Sequence, residues 1–224
     1  MTRKTCRLAR VASNWLRNML DRAALRLLKP PVEQAARALV RWRLNADEVT
    51  LIGFALGLLA ALAIALGRPL AGLALIVASR ICDALDGAVA RLTTPTDRGA
   101  FLDITLDFLF YASIPLAFAL ADPLRNALPA AVLLAAFIGT GSSFLAFAAL
   151  AERRGLASAA YPQKGLYYLG GLTEASETLI CFGLMCIWPE HFAWWAYGFA
   201  ALCGLTITTR LASGWALLGE VAKR

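Results

Sequence analysis

Long apolar runs fill the sequence after residue 48, and they constrain its fold more than any other feature. Six runs are each about twenty residues long, the length that a helix needs to cross a bilayer. Only 17% of the residues are charged, whereas a soluble domain carries about a quarter. We therefore predict an all-α membrane protein whose six transmembrane helices lie near residues 49–67, 70–92, 99–121, 126–150, 171–188 and 192–219.

The segment before these runs is basic and amphipathic. It carries 11 of the 22 Lys and Arg residues, all before residue 48. Residues 1–29 and 32–44 each combine an apolar and a basic face, and Pro30 and Pro31 separate them. Both patterns are typical of helices lying on an anionic membrane surface. Because this segment adjoins apolar spans, we favour lipid over nucleic acid as its partner. We divide the chain into a juxtamembrane segment, 1–48, and a six-helix transmembrane domain, 49–224.

The distribution of basic residues predicts the orientation of the spans. One side would hold the N-terminal segment, the loops 91–98 and 153–164, and the C-terminus, while the other holds only Arg68 and Arg125. Cytoplasmic loops are the ones enriched in Lys and Arg, so both termini are expected in the cytoplasm. Asp47 and Thr50 are expected to cap the first span, and residues 67–69 to form a tight turn after it.

Four aspartates lie at the ends of two predicted apolar spans, where charged residues are rare. Asp83 and Asp86 lie at the end of the second span, and Asp103 and Asp107 at the start of the third. Spacings of three and four residues place each pair on one helix face, and a short connection brings the two helix ends together. The alternative is that acids at helix ends are solvated or interact with the helix dipole.

Four converging carboxylates call for a cation. Each buried aspartate costs roughly 2.5–3.5 kcal/mol at mid-bilayer, and the four charges also repel one another. Oxygen ligands without His or Cys favour Mg²⁺, Mn²⁺ or Ca²⁺, and four carboxylates suffice for two metals about 4 Å apart, as in phosphoryl transfer. Gly87 and Gly99 leave room for a nucleotide or a neighbouring helix, and Arg91 is suited to bind phosphate.

These residues resemble the motif of the CDP-alcohol phosphatidyltransferase family, D-x-x-D-G-x-x-A-R followed by G-x-x-x-D-x-x-x-D. The sequence matches every fixed letter, including Ala90. It departs in a seven-residue gap, 92–98, where eight is the expected length. It also departs at residues 47–50, where Asp-Glu-Val-Thr stands in place of the family's N-x-x-T.

The resemblance implies phospholipid biosynthesis in a multi-pass membrane enzyme, with the bacterial inner membrane as the expected location. An acceptor hydroxyl attacks the β-phosphorus of a CDP-linked donor such as CDP-diacylglycerol, and CMP leaves. The cofactor is Mg²⁺ or Mn²⁺, in a two-metal site, and homodimers are among the expectations. Asp83, Asp86 and Asp103 hold metal by this resemblance, and Asp107 is the general base and a further ligand. The donor-binding residues it implies are Asp47, Thr50, Gly87, Ala90, Arg91, Thr96 and Gly99.

The alcohol acceptor is less constrained. Arg210 lies inside the sixth span, where an arginine is a functional candidate, although it could instead pair with Glu174 or Glu177. Cytoplasmic basic residues suit a phosphorylated polyol such as glycerol 3-phosphate or inositol phosphate, and ordinary membrane topology also explains them. We slightly prefer such a polyol, while serine and an amino-alcohol stay open as acceptors. The acceptor candidates are Arg153, Arg154, Lys164, Glu174, Glu177 and Arg210.

Two other functions use the same features. A cation transporter also carries intramembrane carboxylates, but it is expected to place them at mid-membrane between broken helices. An inactive scaffold would retain the motif without turnover, against which the intact Asp107 counts. Metal-dependent ion flux would indicate the transporter, and CMP release the enzyme.

Overall fold

The structure is a computed structural model that describes residues 30–153, 173 and 175–220. All regular structure in these ranges is helical, as predicted. A 3₁₀ turn, Pro189–His191, precedes the last helix. The helices are α1 (residues 30–41), α2 (Ala46–Ala65), α3 (Pro69–Leu92), α4 (Asp97–Ala121), α5 (Pro123–Arg153), α6 (Ala175–Ile187) and α7 (Phe192–Glu220).

Four helical segments are long and apolar enough to cross a membrane: α2, α4, α5 and Pro189–Gly219. The 24-residue α3 is also long enough, but its four charged residues lower its apolar character. The described part of α6 has only 13 residues. The total of six spans therefore remains a prediction. The two interfacial helices also remain predictions, and the first of them, residues 1–29, lies outside the described ranges.

The chain divides into two compact units, the first formed by residues 1–53 and 80–103. Its described core is small. Ala36 of α1 is buried with Ala88 and Val89 of α3, and the flanking apolar residues of α1 pack around them. The apolar face that the sequence assigned to a lipid surface is thus at least partly covered by protein. The residues packed around this core are Val32, Leu39, Val40 and Ala46.

The junction between α1 and α2 is built from two capping motifs. Arg43 has a positive φ of 60°, and Leu44 N–H donates to the Leu39 carbonyl over 3.1 Å, which ends α1 in a Schellman motif. Asn45 then precedes α2, and its N–H donates to Glu48 Oε2 over 2.9 Å, half of a capping box. The helix thus starts at Ala46, and Asn45 with Glu48 occupies the capping positions expected for Asp47 and Thr50.

The second unit, residues 54–79 and 104–224, contains the larger core. Aromatic rings from α4, α5, α6 and α7 pack in its interior, with Phe118 and Phe192 stacked at 4.7 Å between centroids. The predicted turn after α2 is confirmed: Gly67 has a φ of 75°, and Pro69 begins α3. A glycine suits this turn because it adopts positive φ without strain.

Candidate active site

Three aspartates form an acidic cluster. Asp83 lies near the end of α3, and Asp103 and Asp107 lie one turn apart on α4. Each offers one carboxylate oxygen, and the three oxygens lie within 4.8 Å of one another; all three residues are partly buried. Oxygens this close repel unless a cation or protons lie between them, so the arrangement fits the hard divalent cations that prefer carboxylate ligands.

Asp86 is not among the three residues whose oxygens lie within 4.8 Å of one another. It is 6% exposed and lies one turn after Asp83 on α3. The structure thus brings three of the four predicted carboxylates together, and the convergence of Asp86 with them stays a prediction. Next to it, a methyl group on Gly87 would lie 3.2 Å from Arg91 Nη1, so the small glycine leaves space for that exposed guanidinium. Ala90 is partly buried on the same helix.

Arg80 contacts the cluster from within α3. Its Nη1 donates to Asp83 Oδ1 over 3.4 Å, and its side chain is only 15% exposed. The pair is three residues apart, a spacing that places side chains on one helix face. The spacing of Arg80 and Asp83 is visible in the sequence, although Arg80 was not among the predicted site residues.

The first turn of α4 is held by Thr96 and Asp47. Thr96 Oγ1 accepts the Gly99 N–H over 3.0 Å, so it is the N-cap of α4. A methyl group on Gly99 would lie 3.0 Å from Asp47 Oδ1, so glycine allows this close approach. Asp47 Oδ2 accepts from Arg98 Nη2 over 2.6 Å and from Nε over 3.0 Å. Arg98 was not among the predicted site residues, because 51 positions separate it from Asp47 in the sequence.

Thr50 uses its hydroxyl locally. Its Oγ1 donates to the Ala46 carbonyl over 3.0 Å, one turn earlier on α2. Such a bond within a helix satisfies the hydroxyl and leaves an oxygen lone pair for a further donor. Thr50 and Asp47 lie three residues apart, so they share a face of α2.

Arg210 is a buried cation in α7. It is 8% exposed, its Nη1 donates to the Thr140 carbonyl over 3.0 Å, and it lies over the Phe144 ring at 5.6 Å. Within the described ranges its Nε has no hydrogen-bond partner. One turn earlier, the Oγ1 of the buried Thr206 accepts a hydrogen bond from Thr173 Oγ1 over 3.0 Å. Thr206 and Arg210, four residues apart, thus place two buried polar side chains on one face of α7.

The other acceptor candidates are only partly described. Arg153 is exposed at the end of α5, while Arg154, Lys164 and Glu174 lie outside the described residues. Glu177 is in the first turn of α6, where its Oε2 accepts from Ser176 Oγ over 3.0 Å. Within the described part of the chain, Arg210 contacts a carbonyl and a ring, not Glu177.

The family profile described as CDP-alcohol phosphatidyltransferase matches residues 43–207. The chain belongs to the CDP-alcohol phosphatidyltransferase family. It is therefore a membrane phosphotransferase of phospholipid synthesis, in a family whose enzymes use divalent metals. This membership confirms the resemblance that the aspartate motif carried.

Curated relatives show the same family. The chain is 50% identical over 206 residues to inner membrane protein YnjF of Escherichia coli. The aligned region covers 92% of this chain and 100% of that protein. It is 39% identical over 100 residues to the archaetidylinositol phosphate synthase of Pyrococcus horikoshii, covering 44% of this chain and 53% of that one.

Solved structures of a family enzyme share the fold. The phosphatidylinositol phosphate synthase PgsA1 of Mycobacterium tuberculosis with CDP-DAG bound has a TM-score of 0.67 at 25% identity, covering 82% of this chain and 93% of that one. The same enzyme with manganese and citrate has a TM-score of 0.66 at 25% identity, covering 82% and 88%.

Proposed function

We propose that this enzyme transfers a phosphatidyl group from CDP-diacylglycerol to an alcohol and releases CMP. The observation that carries the proposal is the cluster of Asp83, Asp103 and Asp107, whose oxygens lie within 4.8 Å of one another. The structure of PgsA1 with CDP-DAG bound supports the choice of donor.

The residues that would hold divalent metal are Asp83, Asp86, Asp103 and Asp107. Their donor set consists of oxygens alone, which suits Mg²⁺ or Mn²⁺, and four carboxylates suffice for two ions. Bound metal supplies positive charge that offsets the charge of the donor pyrophosphate. The PgsA1 structure with manganese supports this assignment.

Asp107 acts as the general base. It accepts the proton of the acceptor hydroxyl, as a carboxylate within hydrogen-bond reach can do. The hydroxyl oxygen forms a bond to the β-phosphorus, and the bond from that phosphorus to the bridging oxygen breaks. CMP leaves with the bridging oxygen, and the proton of the hydroxyl stays on Asp107.

The donor nucleotide is bound at the first turns of α2 and α4 and at the end of α3. Gly87, Ala90 and Gly99 leave space there, while Thr50 and Thr96 offer oxygens and Arg91 a cation for phosphate. Asp47 borders the same place through its approach to Gly99.

The acceptor is a phosphorylated polyol, such as glycerol 3-phosphate or inositol phosphate. The observation that favours it is the buried Arg210, whose Nε finds no acceptor among the described residues. A phosphate oxygen would complete its hydrogen bonds. Arg153, Arg154, Lys164, Glu174 and Glu177 are the other candidates for this pocket.

The remaining architecture is proposed as the sequence predicts it. Six spans form the domain 49–224, both termini lie in the cytoplasm, and the enzyme resides in a bacterial inner membrane as a homodimer. The relative from Escherichia coli, named as an inner membrane protein, supports the location. The donor's acyl chains then stay in the bilayer while its nucleotide enters the site.

The test is CMP release by the purified enzyme from CDP-diacylglycerol, with Mn²⁺ or Mg²⁺ and a panel of alcohols and sugar phosphates. We expect metal-dependent release with a phosphorylated polyol, and a loss of about 10²–10⁴-fold in rate for Asp107→Asn. The matched control is Asp122→Asn. The Asp122 carboxylate lies outside the cluster and pairs with Arg125 Nε over 3.8 Å. Full activity of Asp107→Asn, or CMP release with none of the acceptors, would overturn the proposal.

A further inference from the structure

A long-range ion pair lies at the first turn of α4. Both Nη2 and Nε of Arg98 donate to Asp47 Oδ2, over 2.6 and 3.0 Å. The other oxygen of this carboxylate, Oδ1, lies 3.0 Å from the position that a methyl group on Gly99 would occupy. The carboxylate therefore lies against the helix start, with one oxygen engaged by a guanidinium.

Stability alone does not explain this pair. The Arg98 side chain is 84% exposed and that of Asp47 is 21% exposed. Exposed ion pairs contribute about 0–1 kcal/mol to folding because water screens them. The first turn of α4 is already capped by Thr96. The more consequential property of the pair is its charge.

The position of the pair gives that charge a role. Asp103, a member of the acidic cluster, lies one turn after Gly99 on α4, about 6 Å along the helix axis. A nucleoside diphosphate bound beside this cluster brings negative charge to the same helix start. An uncompensated carboxylate at Asp47 would repel the nucleoside diphosphate, because salt does not fully screen charges that lie closer together than one Debye length.

We propose that Asp47 and Arg98 form a positioning pair for the CDP donor. Arg98 neutralises Asp47 and holds its carboxylate in one orientation, so that the pyrophosphate can approach the first turn of α4. Asp47 needs this partner because its carboxylate carries a negative charge that would otherwise repel the anionic pyrophosphate. The inference rests on the proposed function, since it assumes a CDP-linked donor at this site.

The experiment measures the dissociation constant of CDP itself for the purified, Mn²⁺-loaded enzyme by calorimetry, and the KM for CDP-diacylglycerol. We expect Arg98→Gln to weaken CDP binding about tenfold, and to raise KM with a smaller change in kcat. Adding Asp47→Asn to Arg98→Gln removes the exposed charge and recovers most of that loss. The matched control is Arg125→Gln, an 82% exposed arginine also paired with an aspartate, which should leave CDP affinity unchanged.

Each other outcome overturns the inference. If the double variant binds CDP as weakly as Arg98→Gln, the arginine acts on the nucleotide without Asp47. If Arg98→Gln binds as the wild type does, the pair has no role in donor binding. Thermal unfolding of each variant identifies loss of fold, which we do not expect from Arg98→Gln because that side chain is 84% exposed. A wild-type enzyme that neither binds CDP nor releases CMP would instead refute the proposed function, and this inference with it.

Discussion

At the scale of single residues, the site combines acids with cations that hold them. Arg80 contacts Asp83, and Arg98 contacts Asp47. Mutation of a residue that orients a metal ligand typically lowers metal affinity or activity about 10–100-fold. We therefore expect Arg80 to orient Asp83 as well as to balance its charge.

The sign of the change in Mn²⁺ affinity when Arg80 is substituted distinguishes orientation of Asp83 from a role in charge balance alone. If Arg80 orients Asp83, Arg80→Met should weaken Mn²⁺ binding about tenfold or more, with Arg80→Lys intermediate. If Arg80 only adds positive charge, its removal should tighten Mn²⁺ binding. Electron paramagnetic resonance titration of the purified protein with Mn²⁺ measures this directly. Arg125→Met, which removes an exposed arginine from a similarly spaced pair with Asp122, is the control.

Arg210 should act on the acceptor and not on the donor. Loss of a charged hydrogen bond costs about 1.5–3 kcal/mol, so Arg210→Met should raise KM for a phosphorylated acceptor about 10- to 150-fold. KM for CDP-diacylglycerol should stay near the wild-type value. Steady-state kinetics with each substrate varied give both constants, and Arg68→Met, an exposed arginine, is the control. Unchanged acceptor KM with lowered stability would indicate a purely structural arginine.

At the scale of elements, close helix packing depends on small residues. In the second unit, a methyl group on Gly57 of α2 would lie 2.6 Å from Phe110 Cδ2 of α4. Phe110 is buried and packs edge-on against Tyr111 and Phe182, so its ring has little room to move. The glycine thus sets how near the two helices approach.

Gly57→Ala should therefore destabilise the enzyme by about 1–3 kcal/mol, as overpacking of a close contact does. Gly198→Ala in α7 is the matched control, because nothing lies within 4 Å of its added methyl group. That control should be neutral or more stable by up to about 1 kcal/mol, since alanine favours a helix. Thermal unfolding in detergent compares the two variants, and equal midpoints would contradict the packing argument.

At the scale of the whole molecule, the distribution of basic residues predicts that both termini lie on the cytoplasmic side of the membrane. A reporter active only in the cytoplasm, fused after residue 224, should be active, and the same reporter inserted after Gly67 should not. A periplasmic reporter at the same two positions should give the reverse pattern. Equal activity at both positions would refute the predicted orientation and the number of spans.

The sequence alone determined the class of the molecule and the composition of its acidic site. Apolar runs of about twenty residues predict helices because helix length and bilayer thickness are matched. Spacings of three and four residues predict which aspartates share a helix face, because 3.6 residues make a turn. Asp83, Asp103 and Asp107 were accordingly predicted as neighbours, and their oxygens lie within 4.8 Å.

Only the tertiary structure decided how side chains meet across helices. Arg98 pairs with Asp47 across 51 positions, and Arg210 contacts Thr140 across 70. The face of α1 packs on α3, although its amphipathic pattern favoured lipid. Periodicity gives the direction of a side chain around its own helix, whereas these contacts depend on the rotation and separation of two helices, which no local pattern records.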